Sequence, residues 1–421
     1  MTAPRRALDR RRRRHVLVLL CGAWAAVLLL GMANDATAHI LRHGLTHPPR
    51  RMRHHHVARI AHRILVQARQ RARARPRAST AAGSGAPSVV FGIYPGGAAG
   101  ATGPNGPVAP EDPARRLAAL EQLRAPGAPF VLHIYAGYTG AGGWTAAQQV
   151  GDDLAQYTAA GFEVELVLTY RPADGGSPQD VTGFEAFVRQ TLASFGPNPR
   201  FVSLQVTNEA NVSGAPNASD GWFGGARDAL IGGVIAAKAA IRANRYAQVQ
   251  VGFNWAAAGD ADEHGFWSYL ARRGGAEFVN ALDWVGVDIY PGTWGPALPA
   301  LPGSLASGTQ AAIRSTLSEL RRVYLPQAGI PISVPLHISE SGYPTGPDRT
   351  RAMQVEAMRA AVGTVVAARG AYNVTDYRWF DLRDALSSRP DFQSQYGLMT
   401  DAYTPKPAFF AYRDLVARYS R

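Results

Sequence analysis

Cysteine occurs once in the 421 residues, at Cys21. A disulfide framework needs pairs and a cysteine-built zinc site needs several thiolates, so both are excluded. Lysine is almost as scarce, with Lys238 and Lys406 standing against 42 Arg. Acidic residues are missing from one stretch. Residues 1–77 hold Asp9 and Asp35 beside 18 Arg, a net of +16, whereas residues 78–421 carry a net of −3. The overall charge of +13 therefore belongs to a head. A nucleic-acid-binding body would carry the positive patch itself, so nucleic acid is not an expected partner. Phosphate-cradling glycine turns are absent too. Gly92-Ile93-Tyr94-Pro95-Gly96-Gly97 gives no G-x-G-x-x-G, and no G-x-x-x-x-G-K-S/T occurs, so no cofactor is expected. What is present is apolar material, 46% of the chain, enough for a large core and incompatible with global disorder.

The head reads in three parts. Residues 16–33 are an apolar run of 18 preceded by Arg10 to Arg14. Its length falls between a signal-peptide core of ~7–15 residues and a spanning helix of ~20. Ala36-Thr37-Ala38 fits a small-x-small cleavage site. Residues 1–38 are thus expected to be a signal peptide or a signal anchor. Seven Arg before the run and four soon after it favour the N-terminus inside and the body outside. Residues 39–87 read as a basic stalk and linker. Within them Val57, Ile60, Ala61, Ile64 and Ala68 share a helical face. Such a stalk either lies on an anionic membrane or wall surface or is a solvated spacer. The protein is expected to be exported and monomeric, either held at the membrane by this segment or secreted.

From residue 88 the pattern changes to short β-rich runs alternating with helical stretches. Strands are expected at 88–94, 130–135, 163–170, 201–207, 248–254, 283–290, 335–339 and 375–380. Helices are expected at 111–124, 145–160, 181–195, 220–243, 264–281, 309–324, 349–369 and 406–419, with Asp220, Thr309 and Thr350 as caps. Crossover helices force parallel strands, and eight such units close into a (β/α)8 TIM barrel over residues 88–421. The loop 291–308 around Trp294 is long enough to wall a cleft.

In such a barrel the chemistry sits at the C-terminal strand ends. Those ends read Tyr94-Pro95, His133-Ile134-Tyr135, Tyr170-Arg171, Asn208-Glu209, Asn254-Trp255, Asp288-Ile289-Tyr290, Ser339-Glu340 and Trp379-Phe380-Asp381. They contain no lysine for a Schiff base. The body's three histidines, His133, His264 and His337, are spaced against a shared metal, and no metal is expected. No G-x-S-x-G elbow supplies a serine nucleophile. Two carboxylates remain, Glu209 and Glu340. Glycosidic bond cleavage needs one carboxyl to donate a proton and another to attack or to activate water. Aromatic rings suit sugar faces, and Asn, His and Tyr suit their hydroxyls.

Asn208-Glu209 after the fourth strand and Glu340 after the seventh resemble the retaining glycoside hydrolases of clan A. The segment Ile338-Ser339-Glu340-Ser341-Gly342-Tyr343-Pro344-Thr345 is similar to the nucleophile segment of glycoside hydrolase family 17, the β-1,3-glucanases, with Tyr343 where Trp is usual. This resemblance implies Glu209 as acid/base and Glu340 as nucleophile. It implies that Asn208 holds a sugar hydroxyl, that Tyr290 orients Glu340, and that Trp379 floors the subsite. Tyr94, His133, Tyr135, Tyr170, Asn254 and Trp255 are further candidate substrate contacts, each equally open to barrel-top packing. The expected partner is a cell-wall or extracellular polysaccharide. Two other readings stay open: a barrel that binds glycans without cleaving them, and a tethered assembly factor acting through its basic head.

Overall fold

The computed structural model describes residues 88–97, 108–257, 262–296, 298 and 305–420. The expectations for the head, residues 1–87, lie outside the described residues. Eight strands follow one another: β1 Val90–Ile93, β2 Phe130–Tyr138, β3 Glu163–Tyr170, β4 Phe201–Val206, β5 Gln250–Ala256, β6 Trp284–Asp288, β7 Leu336–Glu340 and β8 Val374–Trp379. Each pairs in parallel with the next, and β8 pairs back onto β1 through Val90↔Asp376 and Ile93↔Trp379. The sheet is therefore the closed (β/α)8 barrel that the alternation implies. Among the described residues no helix is long and apolar enough to cross a membrane.

The crossover helices are α1 Pro113–Leu123, α2 Ala146–Ala159, α3 Pro178–Phe195, α4 Ala226–Asn244, α5 Glu263–Tyr269, α6 Gly275–Ala281, α7 Leu305–Glu319, α8 Leu325–Gln327, α9 Arg351–Tyr372 and α10 Pro407–Tyr419. Their starts follow side-chain capping. Thr145 and Ser177 close capping boxes on α2 and α3, and the Thr350 hydroxyl accepts from the Met353 amide at 3.1 Å. Two expected caps are corrected. Asp220 opens only a single 3-10 turn, Asp220–Trp222, and α4 begins after Gly225, whose φ of 77° breaks the chain direction. Thr309 is buried inside α7, which starts at Leu305. The connection after β6 is correspondingly shorter than the sequence pattern implies.

The strands alternate with period two, and the two faces differ in kind. Phe91, Leu132, Ile134, Leu166, Leu168, Phe253, Val287, Ile338 and Tyr377 face the helices and join one continuous apolar core. The intervening residues close the barrel interior, and many are polar: His133, Glu165, Gln205, Asn254, His337, Asp376 and Arg378 are all buried. Glu165 accepts from His133 Nδ1 at 2.8 Å and lies 3.4 Å from Arg378 Nε. Arg378 also donates to Asp376 at 3.0 Å, and His337 Nε2 lies 3.2 Å from the same carboxylate. Gly92 makes room for this network. A Cβ there would fall 2.2 Å from the Val131 carbonyl and 2.6 Å from Arg378 Cδ.

Burial by itself would raise the Glu165 carboxyl, but the Arg378 charge and the His133 hydrogen bond hold it well below the usual carboxylate range. Removing one partner from a buried pair leaves an uncompensated charge, at a cost of about 3–5 kcal/mol. Arg378→Met is expected to destabilise the barrel by about that amount in urea unfolding, and adding Glu165→Gln is expected to restore part of the loss. Additive losses in the double variant would show that the pair is not coupled.

Candidate active site

The turn after β4 is built against local preference. Thr207 and Glu209 adopt φ of 64° and 51°, a left-handed conformation that a β-branched residue seldom takes. Such a backbone persists where surrounding bonds over-determine it. The buried Asp220 carboxylate accepts from the Asn208 and Tyr170 amides, both at 2.7 Å. Asn254 Oδ1 accepts from the Glu209 amide at 2.8 Å, and its Nδ2 donates to Asn208 Oδ1 at 2.9 Å. Arg171 reaches round the loop to the Asn217 and Ala218 carbonyls at 3.2 and 2.7 Å. The result aims Glu209 across the barrel mouth.

There it meets two other acids. Carboxylate oxygens of Glu209, Asp288 and Glu340 lie within 4.8 Å of one another. Glu340, the last residue of β7, accepts from Tyr135 and, at 2.6 Å, from the Tyr290 hydroxyl. His133 Nε2 bonds the Tyr135 hydroxyl at 2.8 Å, so the interior network reaches Glu340 through that phenol. Ser219 donates to Glu209. Ser339 donates to Asp288 at 2.6 Å, and Asn254 holds its other oxygen. Hydroxyl and amide donors therefore ring these oxygens, an environment made for proton chemistry more than for a cation's ligand shell.

Three carboxyls this close, Asp288 and Glu340 buried and Glu209 half-buried, cannot all ionise together. Burial and the charge of Glu340 push Glu209 up to about 8. Burial, then Glu340 and Glu209, raise Asp288 well above the ordinary range. Burial pushes Asp220 up to about 7 against the pull of Arg171. Tyr135 and Tyr290 are raised well above a free phenol by burial and by Glu340, so both remain hydrogen-bond donors. The arrangement can hold a proton on Glu209 near neutral pH within reach of Glu340.

Of the residues expected from sequence, Asn208, Glu209, Tyr290, Glu340, His133, Tyr135 and Asn254 come together here. Asn208 is a member of the turn as much as of the cleft, because its Nδ2 donates to the Ala218 carbonyl at 3.0 Å. Tyr170 joins the turn through its amide on Asp220, but its side chain has other partners. Its ring stacks on Tyr138 at 6.1 Å and its hydroxyl donates to the Gly224 carbonyl at 3.1 Å. Trp379 is 1% exposed and packs on Tyr412 in the core, on the outward face it shares with Tyr377. The ring placed at the mouth is its neighbour Phe380, stacked on Tyr94 at 4.8 Å and edge-on to Tyr290 at 6.4 Å. Trp255 donates from its indole to Glu263 at 2.5 Å and is buried. Sequence reasoning passed over Asp288, Ser219 and Asp220 as site residues. Asp288 carried a usable signal, since it stands two residues before Tyr290 and shares its face.

No protein-family model matches the chain, and no curated protein matches its sequence. Its fold is similar to several solved structures. A family 1 β-glucosidase from Thermotoga maritima matches with TM-score 0.55 and 14% identity, over 79% of this chain and 98% of that one. A GH5_18 protein from Bifidobacterium longum subsp. infantis matches at 0.56 and 14%, over 79% of each chain. A β-glucosidase from Exiguobacterium marinum matches at 0.54 and 13%, over 78% and 98%. At such identity the likeness establishes the shared barrel and leaves the chemistry to the residues.

The raised carboxyls set a pH dependence of stability. A folded-state pKa above the unfolded value means that the native state binds the extra proton, so stability falls as pH rises between the two. For Glu209 that window runs from its ordinary 4.5 to about 8, and for Asp220 from 3.8 to about 7. The thermal unfolding midpoint is expected to drop steadily from pH 5 to pH 8, and Glu209→Gln is expected to flatten the slope. A midpoint rising across that interval would contradict the assignment.

Proposed function

We propose that the barrel is a retaining glycoside hydrolase acting on β-linked glycosidic bonds, with Glu209 as acid/base and Glu340 as nucleophile. The observation that carries this reading is the spacing and contrasting environments of the two carboxyls. One oxygen of each lies within 4.8 Å of the other, an approach that supports the ~5–5.5 Å carboxyl separation of retaining enzymes over the ~6.5–9.5 Å that accommodates a water for inversion. Glu209 is half-buried and pushed up to about 8, as a proton donor working near neutral pH requires. Glu340 accepts from two phenol donors, Tyr135 and Tyr290, which fix the orientation of its oxygens.

In the first step Glu340 attacks the anomeric carbon while Glu209 gives its proton to the bridging oxygen. The glycosidic C–O bond breaks, the leaving sugar departs as an alcohol, and an ester links the glycosyl group to Glu340. With that negative charge consumed, one cause of the raised Glu209 pKa is removed. Glu209, now a carboxylate, takes a proton from water as its oxygen attacks the same carbon. The ester bond breaks, Glu340 is regenerated, and two inversions give net retention. Tyr290 and Tyr135 hold Glu340 in line for both steps, and Asn254 fixes the backbone from which Glu209 projects.

The similarity of residues 338–345 to family 17 places a soluble β-1,3-glucan first in a panel with xylan, β-1,4-galactan and aryl glycosides. We also propose export, on the apolar run at 16–33 and its arginine flanks; recovery of the native chain in a cytoplasmic fraction would refute that part.

Glu340→Ala is expected to abolish turnover, with azide restoring it as an external nucleophile. Glu209→Ala is expected to slow natural substrates by ~10²–10⁴-fold and to spare glycosides with good leaving groups, which need little protonation. Proton NMR of the first-formed product reads the stereochemistry. An inverted anomer would overturn the assignment of Glu340.

A further inference from the structure

The described tryptophans divide sharply. Trp255, Trp267, Trp284 and Trp379 are buried, whereas Trp144, Trp222 and Trp294 are 69%, 57% and 51% exposed. An indole carries one of the largest apolar surfaces, and leaving it in water forgoes substantial stabilisation. The exposed three share a location. They lie on the loops that follow β2, β4 and β6, at the mouth that holds Glu209 and Glu340. Other large apolar side chains in solvent, such as Ile332 and Phe410, lie at the opposite barrel end or on the outer helices.

The segments carrying these indoles are fastened. Trp222 closes the 3-10 turn that begins at Asp220, whose carboxylate is bonded to the Asn208 amide, beside the Ser219 that donates to Glu209. The Trp144 carbonyl accepts from Gln149 Nε2 at 2.8 Å. The turn carrying Trp294 is closed by Tyr290 N donating to the Gly295 carbonyl at 2.8 Å and is clamped by Arg349 on the Gly292 carbonyl at 2.8 Å. The Trp294 ring lies 5.7 Å from Phe392, which packs with Phe380 on Tyr290 and Tyr396. An aromatic path thus runs from the phenol on Glu340 out to Trp294. In a closed ring of eight strands in chain order, β2 and β6 stand opposite each other. The indoles therefore flank the carboxylates from two sides.

Building on the proposed function, we infer that Trp144, Trp222 and Trp294 are outer stacking platforms of a cleft open at both ends, and that the substrate is an interior segment of a β-linked polysaccharide. The C–H faces of pyranose rings pack on an indole face, and a platform on each side of the reacting carboxylates binds sugars on both sides of the broken bond. An enzyme that takes chain ends or small glycosides would need one side closed.

The test compares the full-length protein with its Trp222→Ala and Trp294→Ala variants on soluble β-1,3-glucan, xylan, β-1,4-galactan and the matching p-nitrophenyl glycosides. On the polysaccharide that is cut, kcat/KM is expected to fall at least tenfold more than on the p-nitrophenyl glycoside, mainly through KM. Early products are expected to be oligosaccharides of mixed length. Ile332→Ala, at the far end of the barrel, serves as the control and is expected to leave polysaccharide cleavage unchanged. Equal losses on both substrate types, release of monosaccharide alone, or cleavage confined to p-nitrophenyl glycosides would overturn the inference and leave the two-glutamate reading standing. No hydrolysis of anything in the panel, with the variants folded, would instead remove that reading and the inference with it.

Discussion

The ion pair between Glu165 and Arg378 sits inside the barrel, and the site stands on it. A charge sealed from water is costly unless it is paired and hydrogen-bonded, so this pair constrains everything around it. It demands glycine at position 92, where a side chain would collide with Arg378. It fixes the His133 ring through Nδ1, which leaves Nε2 to bond the Tyr135 hydroxyl. Tyr135 in turn donates to Glu340. The orientation of the β7 carboxylate is thus set from beneath as well as from its own strand.

The β4 carboxylate is positioned by different means. No strand ladder holds Glu209; a turn with two left-handed non-glycine residues does, and Asp220 and Asn254 stabilise that turn. Asp220 is a buried acid pushed up to about 7, so the clamp and the acid it positions titrate in the same range. Rigidity and proton affinity share one source, the buried anchor of Ser219 and Asp220 beneath an otherwise exposed loop. Asp288 completes the set as a third carboxyl within 4.8 Å of both glutamates, its proton affinity raised by burial and by their charges.

Short β-rich runs alternating with helical stretches, such as Glu163–Tyr170, located the eight strands, because each strand must be followed by a helix that covers its outer face. Capping chemistry located helix starts where the cap lies beside its helix, as at Thr350, and failed at Asp220, whose carboxylate serves two distant amides. The site was legible at the strand ends for a related reason: barrel topology names the places where chemistry gathers before any contact is known. Trp379 misled because aromatic type alone does not say which face of β8 a ring takes. Its neighbour Phe380 occupies the mouth, while Trp379 continues the outward face of Tyr377.

By itself, then, the sequence determined the eightfold alternation, the barrel it closes and the two glutamates at its rim, since these depend on local period and on residue type at counted positions. Only the tertiary structure decided that Asp288 joins them, that His133 reaches Glu340 through Tyr135, and that Glu209 holds its proton toward about 8. Those properties arise from residues far apart in the chain, such as Tyr135 and Glu340, brought together at the barrel mouth. Burial and the charges that share it set a proton's affinity there, and neither is written in any short stretch of chain.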